Sequence, residues 1–134
     1  MKKDIEIPEV TEVSLAVVPS GNSHGEKEWG VYLLNTGAEA LDNVLINVSA
    51  EGEVHGVQKQ TATLRFHIPK VKAMSTKKVE VILPEAFALR NKYWVSFYNN
   101  GKLFDKKFIA EPNSIIEDNF EFIPLLTAVG FILH

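Results

Sequence analysis

Apolar side chains recur at every second position through most of this chain, the spacing that predicts β-strands with one buried face. In 42–50 the apolar positions alternate so regularly that one face is predicted to be buried, with Val44, Ile46, Val48 and Ala50 inward and Asn43, Leu45, Asn47 and Ser49 outward. Together with turn signals, the pattern predicts strands at 12–18, 29–35, 42–50, 61–68, 77–83, 92–99 and 102–108. Long helical periodicity is missing, and only 85–90 is expected to form a short helical turn.

Three of these strands have further predicted orientations. Segment 29–35 is apolar on both sides, which suits a central strand. In the segment 77–83 we expect one inward face, formed by Val79, Val81 and Leu83. In the segment 61–68 the inward residues are expected to be Ala62, Leu64, Phe66 and Ile68.

The strongest single signal is the β-hairpin at 92–108. Its turn is Asn100-Gly101, and this pair tolerates the positive φ angles that a type I′ turn needs. The turn predicts that Phe97 faces Phe104 and that Tyr93 faces Phe108. One residue fits this register poorly, because Lys106 then lies on the apolar face. Either its stem runs along the edge of the core with the amine in water, or a β-bulge shifts the register.

Seven short antiparallel strands with frequent turns are typical of an immunoglobulin-like β-sandwich. We therefore predict an all-β fold of seven or eight strands, with residues 1–112 as the sandwich domain. The chain lacks the Cys…Trp…Cys mark of antibody domains, so the wider sandwich class is expected. An up-and-down barrel is the alternative.

Residues 113–134 form an unusually apolar C-terminal arm. The arm is interrupted by Glu121, Pro124 and Gly130, and it is too short to span a bilayer, which needs about 20 apolar residues. It must therefore be buried against protein. Two placements are open: an eighth strand or arm on its own chain, or an arm on a neighbouring subunit.

Composition narrows the class of protein. With 134 residues, 46% of them hydrophobic, the chain is long enough for one domain with its own core. Cysteine is absent and residues 1–8 lack the apolar region of a signal peptide, so we expect a cytoplasmic protein. The net charge of −3 disfavours a nucleic-acid partner, because such binding depends on neutralising phosphates.

No pattern in the sequence predicts catalysis. The four histidines have no metal-ligand spacing, and no nucleophile elbow or phosphate-binding loop is present. The acidic pairs lie in polar loops, where solvated charge is the ordinary role. The sequence therefore predicts neither an enzyme nor a bound cofactor or metal.

Exposed aromatic residues are the best candidates for a binding surface. The hairpin register places Trp94 and Tyr98 on the outer side, beside Leu103, and such aromatic surfaces are typical of protein interfaces and of sugar platforms. Cover by another part of the chain is the alternative. The apolar arm adds further candidates, and the full predicted surface comprises Trp94, Tyr98, Leu103, Phe122, Leu125, Leu126 and Phe131.

Three segments carry a resemblance to a known family: Met1–Pro8, Lys92–Tyr98, and the ending that joins Ile123–Leu126 to Gly130–Leu133. In these segments the chain is similar to a family of short, uncharacterised bacterial proteins, some of which are labelled phenylalanyl-tRNA synthetase alpha subunit. The synthetase label does not fit this chain, because 134 residues are too few for such a catalytic domain and only Arg65 and Arg90 are present. The resemblance implies no functional residue.

These observations together predict a non-catalytic interaction or structural protein. We expect it to bind protein, most simply as a homodimer formed through a sheet edge or the C-terminal arm. The alternative is a carbohydrate or small-ligand module that uses the exposed aromatics of the 92–108 hairpin. A membrane span and a nucleic-acid partner are not expected.

Overall fold

The computed structural model describes residues 10–21 and 23–134, and nearly all of its regular structure is β-strand. The ten strands are β1 (Val13–Gly21), β2 (Lys27–Asn35), β3 (Leu41–Val54), β4 (Val57–Gln60), β5 (Leu64–Val71), β6 (Ser75–Ile82), β7 (Arg90–Asn99), β8 (Lys102–Ala110), β9 (Glu121–Ile123) and β10 (Ala128–Leu133). Helical structure in the described residues is limited to three 3₁₀ segments, Pro84–Ala88, Glu117–Asn119 and Pro124–Leu126. Residues 1–9, which belong to the predicted domain and to the resemblance, lie outside the described residues.

The strands form two antiparallel sheets, so the all-β prediction is confirmed. The first sheet has the order β6-β2-β1-β10-β9, and the second has the order β4-β3-β7-β8, with β5 also paired to β3. The described strands thus do not close into the single up-and-down barrel that was the alternative. The described residues contain ten strands where seven or eight were predicted, and the additional ones are β4, β9 and β10.

Strand β2 is central in the first sheet, as its two apolar sides predicted. It pairs with β1 along nine residues, from Val13 opposite Asn35 to Gly21 opposite Lys27, and with β6 on its other side.

The edge strand β6 contains a β-bulge that the sequence pattern did not reveal. Its register against β2 shifts between Val31 and Tyr32, which leaves Val79 as the extra residue. An extra residue reverses the alternation beyond it, so that Ile82 is buried whereas Val81 is exposed. The predicted inward face is therefore wrong for Val81 and Leu83, which are exposed, whereas Val79 is half-buried against the main core.

The predicted hairpin register is confirmed in β7 and β8. Phe97 lies opposite Phe104 and Tyr93 lies opposite Phe108, without any shift along the pair. Asn100 and Gly101 have φ angles of 51° and 72°, as the type I′ turn requires.

Lys106 keeps its place in this register, opposite Val95, so the bulge alternative is wrong. Its stem is half-buried and its ammonium lies 5.0 Å from the Phe108 ring centroid. The amine donates a hydrogen bond to the carbonyl oxygen of Val10 at 3.0 Å rather than only to water. A lysine on the inner face is thus accommodated at the edge of the core.

A second two-residue hairpin joins β3 to β4, in a segment that lies between the strands predicted at 42–50 and 61–68. Val54 lies opposite Val57, and the two residues between them, His55 and Gly56, both have positive φ. Gly56 was the residue in the sequence that could have indicated this turn, because glycine adopts positive φ readily.

The main core lies between the two sheets and follows the predicted alternation. The four predicted inward residues of β3 are all buried, and so are the inward aromatics Tyr93, Phe97 and Phe108 of the hairpin. Prediction was poorer on β5, where Leu64 is exposed while Phe66 and Ile68 are half-buried.

The C-terminal segment 113–134 lies on its own chain in the structure. Strand β10 pairs with β1, with Leu15 opposite Leu133, and β9 pairs with β10. Segment 123–128 builds a second, smaller core on the outer face of the first sheet, over Ala16, Val18 and Leu34. This cover explains why β1 and β2 are apolar on both sides.

Segment 113–134 also reaches the edge of the main core through Phe120. Its ring packs edge-to-face against Trp29 at 6.0 Å, and Phe87 packs against the same indole at 5.0 Å.

Among the described residues, no helix has the length and apolar character needed to cross a membrane.

Candidate functional site

The outer face of the second sheet differs from that of the first because no segment of the described chain packs over it as a core. Strand alternation buries Tyr93, Val95 and Phe97 and turns their neighbours outward. Five large apolar side chains on this face are substantially exposed: Leu45, Trp94, Tyr98, Leu103 and Ile109. We call this surface the open face.

Cross-strand pairing orders the open face into rows. One row runs across four strands as Arg65, Asn47, Trp94 and Lys107. The Lys107 ammonium lies 4.7 Å from the centroid of the Trp94 ring, within the range of a cation–π contact. Four residues further along β7, about 13 Å away, Tyr98 lies opposite Leu103. The open face therefore has a basic end around Trp94 and an apolar end around Tyr98.

A depression of ≈310 Å³ lies at the basic end, with the indole of Trp94 in its wall. Its charged lining groups are all cations, Arg65, Lys92 and Lys107, and its neutral polar lining is Asn47, Ser49 and Thr63.

One carboxylate lies beside this depression. Glu51 forms an ion pair with Lys92 at 3.4 Å, while no described carboxylate lies within ion-pair distance of Arg65 or Lys107. A chain whose net charge is −3 thus carries a locally positive site.

A larger depression of ≈420 Å³ offers a comparison. It lies between the β3–β4 hairpin and the Pro84–Ala88 segment, and its lining includes Lys59 and Glu85, one charge of each sign. The Trp94 depression is the better candidate because its charges share one sign and adjoin an exposed aromatic ring.

The predicted surface residues separate into three groups. Trp94, Tyr98 and Leu103 lie together on the open face, with exposures of 44%, 40% and 57%. Phe122 is also exposed, but on β9 of the other sheet. The remaining three pack within the chain: Leu125 and Leu126 against the smaller core, and Phe131 against the main core.

Sequence reasoning missed several members of the open face. Leu45 is an apolar residue on the polar side of the regular 42–50 alternation, and that irregularity was a usable signal. Arg65 and Lys92 lie far apart along the chain, and only the pairing of β3 with both β5 and β7 brings them together.

A partly buried polar pair links the two sheets at another place. The hydroxyl of Tyr93 on β7 donates a hydrogen bond to Oε2 of Glu80 on β6 at 2.9 Å. Burial raises the pKa of Glu80 above its usual 4.5, while this hydrogen bond acts in the opposite direction. Burial and the neighbouring carboxylate also raise the pKa of Tyr93. The phenol therefore stays protonated and serves as the donor.

This pair gives a testable pH dependence. Because the folded-state pKa of Glu80 is raised, its contribution to stability is present below pH 4.5 and is lost as pH rises through the folded-state pKa. Glu80→Gln keeps an acceptor oxygen without the charge, so we expect its melting temperature to exceed that of the wild type at neutral pH. The difference should shrink near pH 4.5, as measured by circular dichroism.

Glu53→Gln, a change at an exposed position of β3, is the control and should leave the melting temperature nearly unchanged. A Glu80→Gln variant that melts below the wild type at both pH values would contradict the prediction.

No three His, Asp or Glu side chains of the described residues are grouped as a metal site. No protein-family model matches this chain, and neither a curated protein nor a solved structure matches it. The resemblance to short bacterial proteins therefore stays a prediction, and a function for this chain has to be inferred from its own residues.

Proposed function

We propose that this protein is a non-catalytic interaction protein that self-associates through the open face. The observation that carries the proposal is the contrast between the two sheets. The outer face of the first sheet is covered by segment 123–128, whereas the second exposes Leu45, Trp94, Tyr98, Leu103 and Ile109 together. A cluster of large apolar side chains on a sheet surface is the type of patch that marks protein interfaces.

The open face is favoured over the sheet edges as the route of association. Edge strand β6 carries a bulge and the pair Lys77-Lys78, and edge strand β8 carries Lys102, Lys106 and Lys107. Of the other edge strands, β9 has only three residues and β4 only four, while β5 carries Pro69 and Lys70. Bulges, lysines and short length all oppose edge-to-edge pairing. The C-terminal arm is equally disfavoured, because its Leu125, Leu126 and Phe131 already pack on their own chain.

Charge complementarity supports a second copy as the partner. Asp105 and Lys107 are two residues apart on β8 and share the open face. A two-fold axis that crosses the strands between them brings Asp105 of one copy opposite Lys107 of its partner, and the converse pair forms by symmetry. Closed two-fold dimers are the commonest soluble assemblies.

Charge reversal tests this dimer. Asp105→Lys and Lys107→Asp should each lower the dimer fraction measured by light scattering, because each puts like charges opposite each other. The double variant Asp105→Lys/Lys107→Asp restores opposite charges and should recover the dimer. Glu117→Lys, at an exposed position outside the open face, is the control and should not reduce it.

Two outcomes would refute the proposal. One is a wild type that remains monomeric at the highest soluble concentration. The other is a dimer whose fraction is unaffected by either single reversal.

We infer an immunoglobulin-like type of sandwich, supported by the strand orders β6-β2-β1 and β5-β3-β7-β8, which match strands E-B-A and C′-C-F-G of that class. Strands β9 and β10 then extend the first sheet beyond strand A. Absence of cysteine favours a cytoplasmic location.

A further inference from the structure

We propose that the depression beside Trp94 binds a small anionic carbohydrate, a sugar ring that carries a carboxylate, sulfate or phosphate group. This inference goes beyond self-association, because it does not require a dimer. Trp94 and Lys107 also belong to the open face, so the sugar and a second copy would compete for the same surface, and sugar binding is measured on the monomer. The sequence left a carbohydrate-binding module as the alternative function. The structure narrows the expected ligand to a sugar that carries a negative charge.

The charge of the site selects an anion. Arg65, Lys92 and Lys107 line the depression, and Glu51 is the one carboxylate of the described residues that is paired with any of them. Three cations against one carboxylate leave an excess of two positive charges at a partly enclosed site. A neutral ligand gains nothing from the positive charge of the site. An anionic group accepts a charge-assisted hydrogen bond from each cation that it reaches.

The neutral groups of the site select a sugar ring rather than a bare ion. The Trp94 indole is 44% exposed and offers an apolar surface to the C–H groups of a pyranose. Asn47, Ser49 and Thr63 line the same depression with an amide and two hydroxyls, which are suited to pair with ring hydroxyls. Few, well-placed polar groups around an apolar surface are the usual composition of a small-molecule site.

Lys107 connects the two parts of the site. Its ammonium lies 4.7 Å from the centroid of the Trp94 ring, so an anionic group that pairs with Lys107 is drawn next to the indole. On the opposite side of the row, Arg65 can present a planar fork to a carboxylate, sulfate or phosphate. The ring of the ligand then lies between these cations, against Trp94.

The test follows the indole N–H resonance of Trp94 by two-dimensional NMR, assigned with Trp94→Phe. Galacturonate, glucose 6-sulfate and glucose 6-phosphate are titrated into low-micromolar wild-type protein, with glucose and inorganic sulfate as reference ligands. We expect a saturable shift with at least one charged sugar and affinity for glucose that is roughly tenfold weaker, the factor that corresponds to one charge-assisted hydrogen bond. Comparison of the three charged sugars identifies the preferred anionic group.

Single substitutions test whether Arg65 and Lys92 contribute to binding of the charged sugar. Arg65→Gln and Lys92→Gln should each weaken binding of the charged sugar by roughly tenfold. Lys102→Gln, at an exposed position near the hairpin tip, is the control and should bind as the wild type does. Added sodium chloride should weaken binding, because the attraction is between partly exposed charges.

Three results would overturn the inference: no saturable shift with any charged sugar, equal affinity for glucose and the charged sugars, or inorganic sulfate binding as tightly as glucose 6-sulfate. The last result would indicate an anion site without recognition of the sugar. A chain that stays monomeric but passes this test would refute the dimer and support the sugar site. The titration is therefore run at a concentration at which light scattering shows a monomer. Failure of that monomer to bind any charged sugar would overturn the sugar site, whether or not a dimer forms at higher concentration.

Discussion

Asn35→Ala is expected to lower the free energy of unfolding by about 2–4 kcal/mol, because it leaves several buried backbone groups without partners. Asn35 is buried at the end of β2. Its Nδ2 donates to the carbonyl oxygens of Glu39 at 2.9 Å, Lys72 at 3.1 Å and Val71 at 3.3 Å, while its Oδ1 accepts from the Gly37 N–H at 3.0 Å. One side chain thus joins the β2–β3 turn to the end of β5.

Urea denaturation followed by circular dichroism measures the loss. Asn47→Ala, on the exposed side of β3, is the control and should change stability by less than about 0.5 kcal/mol. Asn35→Asp is the sharper variant, since it preserves shape but places a carboxylate against three carbonyl oxygens. It should be less stable than Asn35→Ala at neutral pH and should recover stability in acid, where a protonated carboxyl can donate. If Asn35→Ala unfolds at the wild-type urea concentration, the hydrogen bonds of Asn35 do not stabilise the fold.

Gly130→Ala should destabilise the protein by about 1–3 kcal/mol through overpacking. A Cβ atom at Gly130 would lie 2.5 Å from the Val17 carbonyl oxygen and 2.8 Å from Cγ2 of Val18. The first of these is backbone, so relief requires β10 to move away from β1. Such a movement would also disturb the smaller core, in which Val18 packs.

The same urea titration provides the measurement, and Gly21→Ala provides the matched control. A Cβ at Gly21 would meet no heavy atom within 4 Å, so that variant should have nearly wild-type stability. Equal stability of the two alanine variants would contradict the close contact between β10 and β1.

The sequence pattern within one strand or hairpin was sufficient to predict the features that depend on residues close together along the chain. The Asn100-Gly101 turn determined the whole β7–β8 register, and regular alternation correctly identified the buried face of β3. Prediction failed where one residue breaks the period. The bulge at Val79 turned Ile82 inward, and nothing in the sequence of β6 alone indicates an extra residue, because a bulge is defined against the partner strand.

The candidate site was predictable only in part for the same reason. Trp94, Tyr98 and Leu103 follow from the hairpin and could be assigned to one face from sequence. Arg65 joins them through the pairing of β3 with β5 and β7, contacts between segments distant along the chain. The apolar arm was predicted to need a buried position, but its position over Ala16 and Val18 depends on the order of strands in the first sheet.

The packing around Trp29 has an optical consequence. Its half-buried indole contacts rings from two other segments, Phe87 and Phe120, whereas the indole of Trp94 is 44% exposed on the open face. Acrylamide should therefore quench Trp94 first, while the emission wavelength of Trp29 reports whether Phe120 remains in place. The chain thus contains two tryptophans whose fluorescence distinguishes events on its surface from loosening of its interior.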